Sequence, residues 1–174
     1  MFINLLEFFM NRDRIISYTL GAGVGAWWIL FYLFIPLYII EKGLSELWIG
    51  YFLFATPIPL ILLEYRFAKL AGKYGFKKFF KAGFLIASVS SLACFFLVLY
   101  GQNIFLILGT LVFSSIGLAM LEPTIEAYFF DISSKREEQR FYGPYSTHID
   151  AGGFIGKIFP SLILLALPFE YIFL

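Results

Sequence analysis

The 174-residue sequence is poor in the residue types that most protein chemistry uses. It has one cysteine, Cys94, and one histidine, His148. A single cysteine excludes a disulfide framework and a cysteine-based metal centre. Cys94 sits inside an apolar run and reads as a small packing residue. No His, Cys, Asp and Glu residues stand at metal-ligand spacing, so neither a metal nor a cofactor is expected. Phosphate-binding and dinucleotide loops are missing, as is any Ser-His-Asp signature. A lipid-acting membrane enzyme would have only Glu122, Glu126, Tyr128 and His148 to work with, so no enzyme is expected. Charge is scarce too: 14% of residues carry it, against about 25% in ordinary soluble domains. A secretory signal is also missing. MFINLLEFFM has neither a basic n-region nor a small-residue cleavage site, and reads as an amphipathic lead-in lying in the membrane interface.

What the chain has in excess is apolar surface. It is 60% hydrophobic and 21% aromatic, with a mean hydropathy of +0.83. So short a soluble domain has no core large enough to absorb this; a bilayer does. A helix needs about 20 apolar residues to cross a hydrocarbon layer of about 30 Å. By that measure residues 1–15 form an interfacial or linker lead-in, and 16–174 form a transmembrane bundle. Its spans run over about 16–40, 47–67, 79–100, 104–130 and 145–167, with a partial sixth at 169–174. The expected fold class is an all-α polytopic membrane helix bundle.

The connecting turns orient these spans. Lys69, Lys73, Lys77, Lys78 and Lys81, with Arg66 before them, make a short basic turn without an acid, which belongs on the cytoplasmic side. The turn with Glu41, Lys42 and Glu46 is acidic and falls outside, and the neutral Gly101–Asn103 turn does too. The Asn11–Arg14 cluster then falls inside, so the N-terminus is cytoplasmic. The segment Asp131–Arg140 follows by alternation. The basic turn suits the membrane surface rather than nucleic acid.

Within the spans, Gly21 with Gly25 and Gly152 with Gly156 are small-xxx-small pairs that let helices approach closely. Pro57 and Pro59 predict a bend near Thr56. Trp48 reads as an interface anchor, and His148 as interfacial. Ionisable groups in lipid face a cavity or a partner, because each costs at least about 2.5 kcal/mol there. Glu64, Glu122, Glu126, Asp150 and Lys157 are therefore the candidates for substrate or proton coupling. Glu122 and Glu126 share a helix face, as do Asp150, Gly153 and Lys157. Structural readings stand beside the functional ones. Glu64 can snorkel beside Arg66, Glu126 can pair with Arg136 or Arg140, Asp150 can cap a helix end, and Lys157 can pair with an acid of the fourth span.

The basic turn resembles the loop signature of the major facilitator superfamily, Gly-x-Leu-Ala-Asp-Arg-x-Gly-Arg-Lys. Here Ala68 to Lys77 match it at Leu70, Ala71, Lys73, Gly75 and Lys77, with Lys78 following. Ala68, Gly72 and Phe76 depart from it. The family's acid, absent at Gly72, helps hold a cytoplasmic gate, so that contact does not carry over. The stretches Leu121–Tyr128 and Tyr145–Pro160 are similar to the family's fourth or tenth helix and the Gly-rich helix after it.

The resemblance implies one six-helix half of a twelve-span secondary transporter, here read as the second half and as a piece of a longer protein. It further implies a cell-membrane carrier of a small solute, with protons as the candidate coupling ion, working by alternating access with a complementary half. The rival reading is a small membrane scaffold or assembly protein without transport of its own.

Overall fold

In the computed structural model, residues 12–101 and 103–173 are described; residues 1–11 of the expected lead-in and Gln102 of the outer turn lie outside them, while 12–15, also expected in that lead-in, are the start of the first helix. Among the described residues there are helices and turns and no strand. Five helical stretches are long and apolar enough to cross a membrane: Arg12–Glu41, Glu46–Tyr74, Phe76–Leu99, Ile104–Asp131 and Lys135–Ala166.

The first is α1 (Arg12–Ile29), a wide π-helical turn over Leu30–Phe34, and α2 (Ile35–Glu41). Pro36, in the first turn of α2, explains the wide turn. Its ring lacks the N–H that would reach Tyr32 and crowds that carbonyl. The ladder therefore opens by one residue, and the Ile35 N–H donates to Leu30 O instead. Leu30, Phe31, Phe34 and Ile35 are buried there while Tyr32 and Leu33 are exposed, so protein covers one side of the irregular turn.

The second stretch is two helices, α3 (Glu46–Ala55) and α4 (Ile58–Tyr74). The break falls at Thr56 and Pro57, where the two prolines leave carbonyls of the preceding turn without N–H donors. Thr56 is buried, and its hydroxyl donates to Phe52 O at 2.8 Å. α4 ends at Gly75, whose φ of +99° belongs to a region that side-chain-bearing residues avoid. α5 (Phe76–Leu99) starts directly after it.

α6 (Ile104–Asp131) is the centre of the bundle. Half of its most apolar stretch is buried (50%), against 11% for the second span. Its sequence explains this. Ser114, Ser115, Gly117 and Ala119 are small and buried, so neighbouring helices approach its axis. A side-chain carbon at Gly117 would lie 2.7 Å from Gly83 O of α5. The hydroxyls of Ser114 and Ser115 donate to Leu111 O and Val112 O, each at 2.6 Å, so they bring no unpaired donor into the core.

α7 (Lys135–Ala166) packs along α1. At its 32 residues it is about 48 Å long, well beyond the hydrocarbon thickness, so its polar first turns project past the layer. Chain segment 169–174, expected to open a sixth span, is a 3-10 helix over Phe169–Phe173 as far as it is described. It packs on α5 and on Tyr38: Ser91 Oγ donates to Phe173 O at 2.7 Å, and Phe169 and Tyr38 ring centroids are 5.1 Å apart.

Candidate functional site

Two regions gather the polar groups of the spans. The first is the seam between α1 and α7. The glycines of both small-xxx-small pairs lie on it. A side-chain carbon at Gly25 would collide with Ile149 O, and one at Gly152 with Ala22 O. At Gly156 it would lie 2.7 Å from the Cα of Ala26. Gly21 faces the ring of His148. That histidine is wedged in the seam between Tyr18 and Tyr145, with ring centroids 5.1 and 4.7 Å away. The missing side chain of Gly21 makes the room.

Below the glycines the seam is closed by charge. Arg14 Nη2 donates to Glu137 Oε1 at 2.8 Å, the one salt bridge among the described residues. Glu137 Oε2 accepts from the Ser134 N–H at 3.0 Å and the Ser134 hydroxyl at 2.8 Å, so the same carboxylate caps α7. The Arg14 guanidinium lies 3.9 Å from the centre of the Phe141 ring, and Tyr18 Oη donates to Phe141 O at 3.2 Å. Sequence reasoning missed this clamp, because its two charges are 123 positions apart.

The second region is a cleft of about 400 Å³ between α4 and α6, lined by Ile61, Glu64, Tyr65, Pro123, Glu126 and Phe130 among others. Glu126 accepts from Tyr142 Oη of α7 at 3.3 Å. Glu122, one turn deeper on the same face, accepts from Trp28 Nε1 of α1 at 3.1 Å. The carboxylates of Glu64 and Glu126 act electrostatically on that of Glu122, so three acids from two helices share one neighbourhood. The pairing of Glu122 with Trp28 was not foreseen. A tryptophan N–H deep in an apolar span needs an acceptor, and that is the only sequence signal for it.

The remaining candidates do not join this group. Asp150 and Lys157 are both exposed on α7 and line neither the cleft nor an ion pair among the described residues. The pairing of Lys157 with an acid of α6 is therefore not found. Lys157 belongs to the outer surface of α7, whose seam side is taken by Gly152 and Gly156. In the basic turn, Ala71 is buried and its carbonyl accepts from the Gly75 N–H at 2.8 Å, while Leu70, Lys73, Lys77 and Lys78 are exposed. Trp48 is half-buried and packs on Phe105 of α6 with centroids 4.5 Å apart, tying α3 to the bundle.

Comparison with curated proteins and with solved structures gives no match. Five helices long and apolar enough to cross a membrane, packed in part through a glycine seam, are those of a multi-pass membrane protein. Residues 16–174 match the sequence model of the Major Facilitator Superfamily, and the chain belongs to that superfamily of secondary transporters.

Proposed function

We propose that the chain forms one wall of a small-solute carrier that alternates access by rocking against a complementary six-helix half. In this reading residues 16–174 are the half-bundle, and its first, fourth and early second spans line the path. The membrane is the cell membrane, and the N-terminus and the basic turn with Leu70, Ala71, Lys73, Gly75, Lys77 and Lys78 face the cytoplasm. Glu122 is the group that couples transport to a proton or to the solute, with Glu126 and Glu64 as its neighbours.

One observation carries the reading: Glu122 is held by Trp28 Nε1 at 3.1 Å on a helix face shared with Glu126. An acid at that depth in lipid is expensive unless it meets a partner or a cavity. A carboxylate anchored by a single neutral donor keeps an oxygen free for a proton or a solute. The test is transport by the complete protein in proteoliposomes, with Glu122→Gln. Loss of accumulation driven by a pH gradient, with solute exchange retained, is the expected result. Unchanged pH-driven accumulation removes the coupling role.

A further inference from the structure

We infer that the junction of α4 and α5 is a binding site for the headgroups of anionic phospholipids. Arg66, Lys69, Lys73, Lys77, Lys78 and Lys81 all lie on it, and all are exposed. The sequence has no acidic residue between Glu64 and Glu122, and the nearest carboxylates, Glu64 and Glu126 of the cleft and Asp13 and Asp131 beside Tyr128, are outnumbered by these six cations. No salt bridge among the described residues involves any of the six. The cytoplasmic-end cation of the α1–α7 seam is treated differently: Arg14 is buried and bonded to Glu137.

The backbone concentrates this charge. Gly75, at φ +99°, turns the chain within one residue, so the end of α4 and the start of α5 present their cations together. Arg66, Lys69 and Lys73 recur at helical spacing on α4, and Lys77, Lys78 and Lys81 do so on α5. α5 has no acid in its first turn, where its own backbone N–H groups add positive potential.

Depth selects the ligand. The second span has 29 residues, about 43 Å of helix against a hydrocarbon layer of about 30 Å. The lysine-bearing turns therefore stand at the headgroup level. Interleaved with them are aromatic rings: Phe67 meets Phe79 edge-on at 6.2 Å, and Phe76 and Phe80 pack on Tyr128 at 5.4 and 5.6 Å. Lysine stems and aromatic rings suit acyl chains, while the ammonium groups suit phosphodiesters. A soluble anion would use only the upper part of this surface. A phospholipid uses both.

The test measures lipid binding to the full chain in neutral detergent, by native mass spectrometry and by thermal unfolding. Phosphatidylglycerol is compared with phosphatidylcholine and with inorganic phosphate. We expect phosphatidylglycerol to bind at least about tenfold tighter than phosphatidylcholine, and to weaken as salt rises. Combined Lys77→Gln, Lys78→Gln and Lys81→Gln removes most of that preference. The same three positions changed to Arg retain it, which separates lost charge from a damaged fold. Lys42→Gln, on the acidic turn between α2 and α3, leaves it intact. Equal affinity for the two lipids overturns the inference, and so does an unchanged preference in the Gln variant. Inorganic phosphate that reproduces the thermal shift and competes at equal concentration overturns it as well, in favour of a soluble anion. The readout is independent of transport, so it stands or falls apart from the proposed coupling role of Glu122.

Discussion

The α1–α7 seam and the α4–α6 cleft solve the same problem in opposite ways. Both contain polar groups in apolar surroundings. In the seam, backbone meets backbone through Gly25, Gly152 and Gly156, and the charges at its end bond to each other. In the cleft, acids gather from two helices without a cation among them, and space of about 400 Å³ stays open. The seam spends its polar groups on holding two helices at one distance. The cleft leaves them available. A carrier needs both: a rigid wall, and a surface whose charges meet something other than the wall.

The largest expected effect tests the rigidity of the seam. Gly152→Leu forces a side chain into the carbonyl of Ala22 and is expected to cost about 3 kcal/mol or more of stability. Ala68→Leu, at the half-buried edge of the open cleft, is expected to stay within about 1 kcal/mol. Denaturant unfolding in micelles compares the two, and equal losses would erase the distinction between the regions.

Next comes the clamp. Glu137→Ala removes both the acceptor of Arg14 and the cap of α7, for an expected loss of about 2 kcal/mol. The figure is below that of a fully buried pair because the Glu137 side chain is 42% exposed. Glu64→Ala, its counterpart in the cleft, takes away an exposed acid beside two others and is expected to change stability by less than about 0.5 kcal/mol. A destabilisation as large as that of Glu137→Ala would mean that the cleft acids are structural.

Trp28→Phe sharpens the comparison from the other side. It removes one hydrogen bond to Glu122 and keeps most of the ring, so about 1 kcal/mol is expected. In the transporting protein the same change should move the pH dependence of transport, while Trp48→Phe should not. Lys157→Gln is the smallest effect, within about 0.5 kcal/mol, since Lys157 is exposed and outside both regions. A clear loss of transport in that variant would bring α7's outer face into the path.

Much of the bundle was legible because lipid imposes simple rules on local sequence. Twenty-residue apolar runs had to be helices that span. Pro57 and Pro59 had to interrupt the second one, and they do so at Thr56. The π-helical turn ahead of Pro36 follows from the same chemistry but escaped notice, because Pro36 lies near the end of the span expected over 16–40, where the helix is close to stopping. The packing partners of His148 were hidden for a different reason. Nothing near His148 in the sequence shows that Gly21, far away along the chain, leaves room for its ring.

The amino-acid order by itself determined which stretches are helical, where they break, and that the chain lives in a bilayer. These depend on hydrogen bonding and burial within single segments. Tertiary packing alone decided the partners. Arg14 meets Glu137 across 123 positions, and Trp28 meets Glu122 across 94. Which charges are consumed in holding helices together, and which are left facing a cleft, depends on which faces two cylinders turn towards each other. No local pattern contains that information.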